Sequence, residues 1–215
     1  MTQAETLRYI VRPPQTRAAG TLAPVLVFLH GYDEGAPMAI ELALTLHGPL
    51  RPANPADALA PFLIIAPQLP VRGDVWYRHS EAVRWLVRHA HEQHGGDPER
   101  SYLTGFSFGG NGVFDLALLQ PHTWAALWAV DPTRVPPRDP QRPVWLSIGE
   151  IARARQAQFI RALQLAAPVS DNATDRVIVD EGGDHVGSAA MAYADRRIYR
   201  WLLTKRLGDA TGSEH

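Results

Sequence analysis

Residues 102–112 read YLTGFSFGGNG, and the reading of this stretch decides the fold. Tyr102, Leu103 and Thr104 favour a strand. Gly105 ends it, and Gly109, Gly110 and Gly112 follow, with Ser107 the one hydroxyl among them. The spacing Gly105-x-Ser107-x-Gly109 has a steric reason. A serine at the apex of a tight strand-to-helix turn lifts its hydroxyl above the sheet edge, and the residues two before and two after it crowd one another. Both must therefore lack side chains. The next segment, "GGNGVFDLALLQ" (109–120), reads as a helix, so strand, turn and helix occur in the required order. The ordinary alternative, a glycine-rich loop around an inert serine, does not account for that flanking order.

Outward from this turn, apolar runs alternate with helical segments. "PVLVFLHG" (24–31) and "PFLIIAP" (61–67) are continuous apolar runs, as expected of strands buried on both faces. "LRYIV" (7–11) reads as an edge strand, and "WAALWAVDP" (124–132), "PVWLSIGE" (143–150) and "RVIVDEG" (176–182) as three more. "HSEAVRWLVRHAHEQHGG" (79–96) places Ala82, Val83, Leu86, Val87 and Ala90 at helical spacing, with Gly95 as its C-cap. Further helices are predicted over 153–166 and 188–207. The proline-rich "PTRVPPRDPQRP" (132–143) is a surface connection, and the polar end 208–215 reads as a flexible tail. The pattern predicts one α/β domain over 1–207, with a mostly parallel central sheet and helices on both faces.

Composition narrows the function. The formal charge is −1, and Lys205 is the only lysine among 21 basic residues, so no basic patch for nucleic acid is expected. There is no cysteine, which excludes disulfides and thiolate chemistry. No apolar run is long enough to span a membrane. The opening "MTQAETLRYIVRPPQ" has no apolar stretch of signal-peptide type, so the expectation is a cytoplasmic protein, monomeric or weakly oligomeric. His89, His91 and His94 do not share the i, i+4 face that a helical metal site wants, and no metal or cofactor is expected.

"RSYLTGFSFGGNGVFDLALLQPHTWAALWAV", "LVFLHGYDEG" and "PQLPVRGDVWYRHSEAVRWLVRHAHEQHGGDPERSYLTG" together resemble the α/β-hydrolase superfamily. The nearest likeness is to its carboxylesterase/phospholipase-like and dienelactone-hydrolase-like branch, over about residues 5–205. The resemblance implies an α/β-hydrolase fold and a serine esterase without a cofactor, acting on a small-molecule ester. A peptidase or acyltransferase on the same residues is the alternative activity. A non-catalytic binding protein of the same fold is the alternative class.

Ser107 is then the nucleophile. The oxyanion donors would be the backbone N–H groups of Phe108 and, in "HGYDEG", of Tyr32. The base falls on His185, in the glycine-rich loop "EGGDHVGS" after the last predicted strand. His30 is expected to shape its loop, and Asp184 to be exposed. Trp76 and Tyr77, in the loop after "FLIIAPQ", either wall the acyl pocket or pack.

The acid departs from the pattern. The branch carries it three residues after a glycine that ends the next-to-last strand, and Ala152 stands there in "SIGEIARARQ". Two carboxylates remain open. Asp131 closes the preceding strand in "LWAVDP", 24 residues beyond Ser107, in a placement that resembles the pancreatic-type lipases. Glu150 directly follows Gly149. Only residues 132–142 separate Asp131 from Pro143, too few for a large lid domain.

Overall fold

The computed structural model describes residues 7–168 and 174–208. Its strands are β1 (Arg8–Arg12), β2 (Ala23–Leu29), β3 (Leu63–Gln68), β4 (Gly96–Phe106), β5 (Ala126–Val130), β6 (Val144–Ile148) and β7 (Arg176–Asp180). They form one sheet in the order β1-β3-β2-β4-β5-β6-β7. The edge strand β1 runs antiparallel to β3, and every other pairing is parallel.

Strand β2 shows why its sequence carries no polar alternation. Val25, Val27 and Leu29 enter the core on one face of the sheet, while Leu26 and Phe28 enter the core on the other. A parallel strand covered on both sides has no face left for water. The cover comes from eight helices among the described residues: α1 (Ile40–Leu46), α2 (Ala56–Leu59), α3 (Ser80–His94), α4 (Phe108–Leu119), α5 (Glu150–Arg153), α6 (Gln156–Leu163), α7 (His185–Ala194) and α8 (Arg196–Leu203). Val83 and Leu86 of α3, Val113 and Phe114 of α4 and Phe159 of α6 fill the first core. Leu44 of α1, Leu59 of α2, Tyr193 of α7 and Ile198 of α8 fill the second. Gly95 ends α3 in the left-handed conformation, φ 68°, and its N–H bonds to Ala90 O.

Two helix expectations need correction. The segment 153–166 is two short helices, α5 and α6, and the second stops at Leu163, where Gln164 turns left-handed at φ 53°. The segment 188–207 begins earlier, at His185, and breaks at Asp195. Both starts have an aspartate cap. Asp184 accepts from Gly187 N–H at 2.6 Å, and Asp195 from Arg197 N–H at 2.8 Å, each satisfying an amide that the helix leaves free. Of the expected tail, residues 209–215 lie outside the described residues.

Between β5 and β6 the chain inserts no further domain. Among the described residues no helix is long and apolar enough to cross a membrane. The carboxyl ends of the parallel strands therefore open onto short loops, and that is where sheets of this kind hold their chemistry.

Candidate active site

Ser107 leaves β4 and becomes the N-cap of α4 with φ 57° and ψ −116°. A residue with a side chain occupies that region only under constraint. The constraint comes from both sides. Ser107 N–H bonds to Val130 O at 2.9 Å, and Ser107 O accepts from Asn111 N–H at 3.1 Å. A Cβ on Gly105 would lie 2.3 Å from Gly109 O, the clash anticipated from the spacing. A Cβ on Gly109 would instead strike Leu29 O at 1.9 Å, so the second glycine answers to β2.

The serine hydroxyl lies 2.9 Å from His185 Nε2, and His185 Nδ1 lies 2.6 Å from Asp131 Oδ2. Three residues from three separate stretches thus form one hydrogen-bonded line. His185 is the first residue of α7, placed by the Asp184 cap, while the Asp184 side chain itself faces solvent. The Phe106 ring packs on the imidazole at 4.6 Å.

Asp131 is fully buried and also strained, with φ 41°. Its carboxylate accepts N–H bonds from Ala152 at 2.7 Å and Gly149 at 3.0 Å, with Ile151 at 3.4 Å. Burial alone would push this carboxyl up. The hydrogen bond to His185 and the amides of Ala152 and Gly149 outweigh burial and hold it below its ordinary value. Ala152 thus supplies an amide to the aspartate at the very position where the related pattern carries the acid. Glu150 is exposed at the start of α5, and the Nδ1 it would have to reach is bonded to Asp131.

Two residues given no role from the sequence border the Asp131 turn, Asn111 on the chain just past it and Gly149 against its carboxylate. Asn111 accepts from the N–H groups of Thr133 at 3.0 Å and Arg134 at 3.1 Å, and donates to Thr133 Oγ1 at 2.6 Å. Gly149 leaves no room for a side chain, since a Cβ there would lie 2.4 Å from Ser188 Oγ and 2.9 Å from Asp131 Oδ2. No local pattern marks Asn111, because its partners lie 22 and 23 residues away.

The loop after β2 approaches the other side of Ser107. Tyr32 and Phe108 touch through their rings, edge to face at 5.0 Å. The Phe108 amide is the first of α4, where helical N–H groups have no intrahelical acceptor and the helix dipole favours negative charge. His30 is buried, and burial drives its pKa down to about 4. Its neutral ring donates from Nδ1 to Gly31 O at 2.7 Å and accepts from Leu69 N–H at 2.9 Å.

Trp76 takes the packing role and not that of a pocket wall. It is 1 % exposed, donates to His30 O at 3.1 Å and lies against Gly112. The indole is amphipathic, and here its N–H finds a buried backbone acceptor. Tyr77 is exposed beside the Arg78 guanidinium. Among the described residues no group of three or more His, Cys, Asp or Glu could hold a metal ion. In α3, His91 bonds Ser101 and His89 stacks on Trp85.

The fold has close counterparts among solved structures. A thermostable esterase aligns at a TM-score of 0.71 and 20% identity over 92% of this chain, which spans 59% of that esterase's length. A fluorophosphonate-binding serine hydrolase F from Staphylococcus aureus aligns at 0.65 and 12% identity, over 93% of this chain and 99% of the other. An S-formylglutathione hydrolase from Agrobacterium tumefaciens aligns at 0.65 and 13% identity, over 95% and 92%. No protein-family model and no curated sequence matches the chain. The chain has the α/β-hydrolase fold, built as a seven-stranded, mostly parallel sheet with helices on both faces.

Proposed function

We propose that this protein is a serine hydrolase that cleaves small carboxylic esters through an acyl-enzyme. One observation carries the reading: a strained Ser107 hydrogen-bonded to His185 Nε2, whose Nδ1 meets a buried, amide-bound Asp131. The Ser107 hydroxyl attacks the ester carbonyl while its proton passes to His185 Nε2. Asp131 keeps the Nδ1–H tautomer and stabilises the imidazolium. The oxyanion accepts from the N–H groups of Tyr32 and Phe108. Collapse breaks the ester C–O bond, and His185 returns the proton to the departing alcohol. A water then gives its proton to His185 and attacks the acyl carbonyl; the bond to Ser107 Oγ breaks as His185 returns that proton to Oγ, freeing the acid and the serine.

The short 132–142 connection leaves the strand ends without an inserted lid, which suits soluble esters with acyl chains of about two to six carbons. The test combines a fluorophosphonate probe with p-nitrophenyl esters of graded length. The wild-type protein should be labelled and turn over the short esters fastest. Ser107→Ala should lose labelling and on the order of 10⁶ in kcat while keeping its circular dichroism. Turnover by the folded variant sinks the serine mechanism, and preference for emulsified long chains sinks the substrate assignment.

A further inference from the structure

A second histidine–carboxyl pair lies on the oxyanion side of Ser107. Glu34 folds back over its own loop: a Cβ on Gly31 would sit 2.9 Å from Glu34 Oε2 and 3.5 Å from Ser107 Cβ. Glu34 is 5 % exposed, and its Oε2 has no hydrogen-bond partner among the described residues. The other oxygen lies 3.5 Å from His47 Nε2, just beyond α1. The His47 ring rests on Phe106 at 5.2 Å, and Phe106 also packs on His185 at 4.6 Å.

We infer that Glu34 is a positioning residue for acyl transfer: its carboxyl, set between Gly31 and His47, fixes the loop whose Tyr32 amide serves the oxyanion. The inference rests on the proposed serine-hydrolase mechanism. A carboxylate in this place would oppose the oxyanion through a few ångströms of low dielectric, so the neutral acid is the productive form. Its surroundings favour that form. Burial raises the Glu34 pKa, and the nearby charge of Asp33 adds to it, against its own amide, that of Gly31 and the field of His185. His47 is held below its ordinary value by burial, then by Arg51 and His185, with Asp33 acting against them. His30, 4.0 Å from Oε2, is neutral, and Asp33 is paired with Arg72.

The experiment compares the rate of fluorophosphonate labelling and the pH profile of kcat and KM for wild-type, Glu34→Gln and Glu34→Ala. Glu34→Ala should slow labelling about tenfold, a fraction of the roughly 100-fold or more lost with an oxyanion donor, and lower kcat with little change in KM. Glu34→Gln keeps the shape without the titration. It should retain most of the rate and lack the fall in rate that ionisation of Glu34 imposes on the wild type as pH rises through its raised pKa. Should the alanine variant fail to fold, the glutamine profile decides alone. Wild-type labelling rates in a folded Glu34→Ala, or a pH profile unchanged in Glu34→Gln, overturn the inference. No labelling of the wild-type protein overturns the serine mechanism itself, and this inference with it.

Discussion

Phe106 touches two histidine–carboxyl pairs that are built on opposite terms. In one His185 meets Asp131 at 2.6 Å, and in the other His47 faces Glu34 at 3.5 Å. Both carboxyls are withdrawn from water, so burial pushes both towards the neutral acid. Asp131 receives N–H bonds from the first turn of α5 and stays below its ordinary value. Glu34 keeps an unpartnered oxygen and stays above it. The donors around a buried carboxyl, more than the depth of burial, decide its charge. The carboxyl held below its ordinary value stands behind the proposed base, and the one held above it lies beside the proposed oxyanion.

The most damaging way to break that contrast is to discharge the first pair. Asp131→Asn preserves shape but removes the charge that would stabilise the His185 cation, and kcat should fall by roughly 10⁴. Circular dichroism should be unchanged. A mild loss would mean that Ser107 and His185 work as a dyad.

The contrast can be sharpened with a third carboxyl, Glu181, just past β7. Burial pushes it up to about 7, against a hydrogen bond from Ser147, and its Oε1 has no partner among the described residues. Like Glu34 and unlike Asp131, it binds its proton more tightly in the folded chain. Its favourable contribution is therefore complete below about pH 4.5 and lost as pH rises through about 7, a swing of about 3 kcal/mol at most. Asp131 has the opposite sign: its contribution is present above its ordinary value of 3.8 and lost only on acidification. Thermal midpoints at pH 5 and pH 8 should drop more for wild type than for Glu181→Gln. Equal drops would show that this carboxyl does not carry the shift.

The smallest effect is expected where the carboxyl is solvated. Glu150 is exposed, and Glu150→Gln should leave kcat within error of wild type, because a charge in water is screened. A crippled Glu150→Gln with an active Asp131→Asn would reverse the assignment of the acid.

The sequence by itself determined the features that covalent neighbours control. The turn at Ser107 is one, since the crowding of Gly105 against Gly109 acts across four residues. The continuous apolar strands and the Gly95 stop of α3 are others, each set by period or by backbone freedom within a few positions. The Asp184 and Asp195 caps were legible in principle, but helical periodicity runs through a cap without marking it.

Tertiary structure decided what depends on groups far apart in the chain. The sequence favoured Asp131 with Glu150 as the alternative, and what sets Asp131 apart is its bond to His185, 54 residues beyond it, and the amides of Gly149 and Ala152 that only the packed β6 edge presents. Trp76 lay in a loop that could wall a pocket or pack, and the His30 carbonyl, 46 residues away, draws it into the core. Glu34 and His47 carried no motif at all. The direction of each shift follows first from desolvation, which a chain acquires only when it folds.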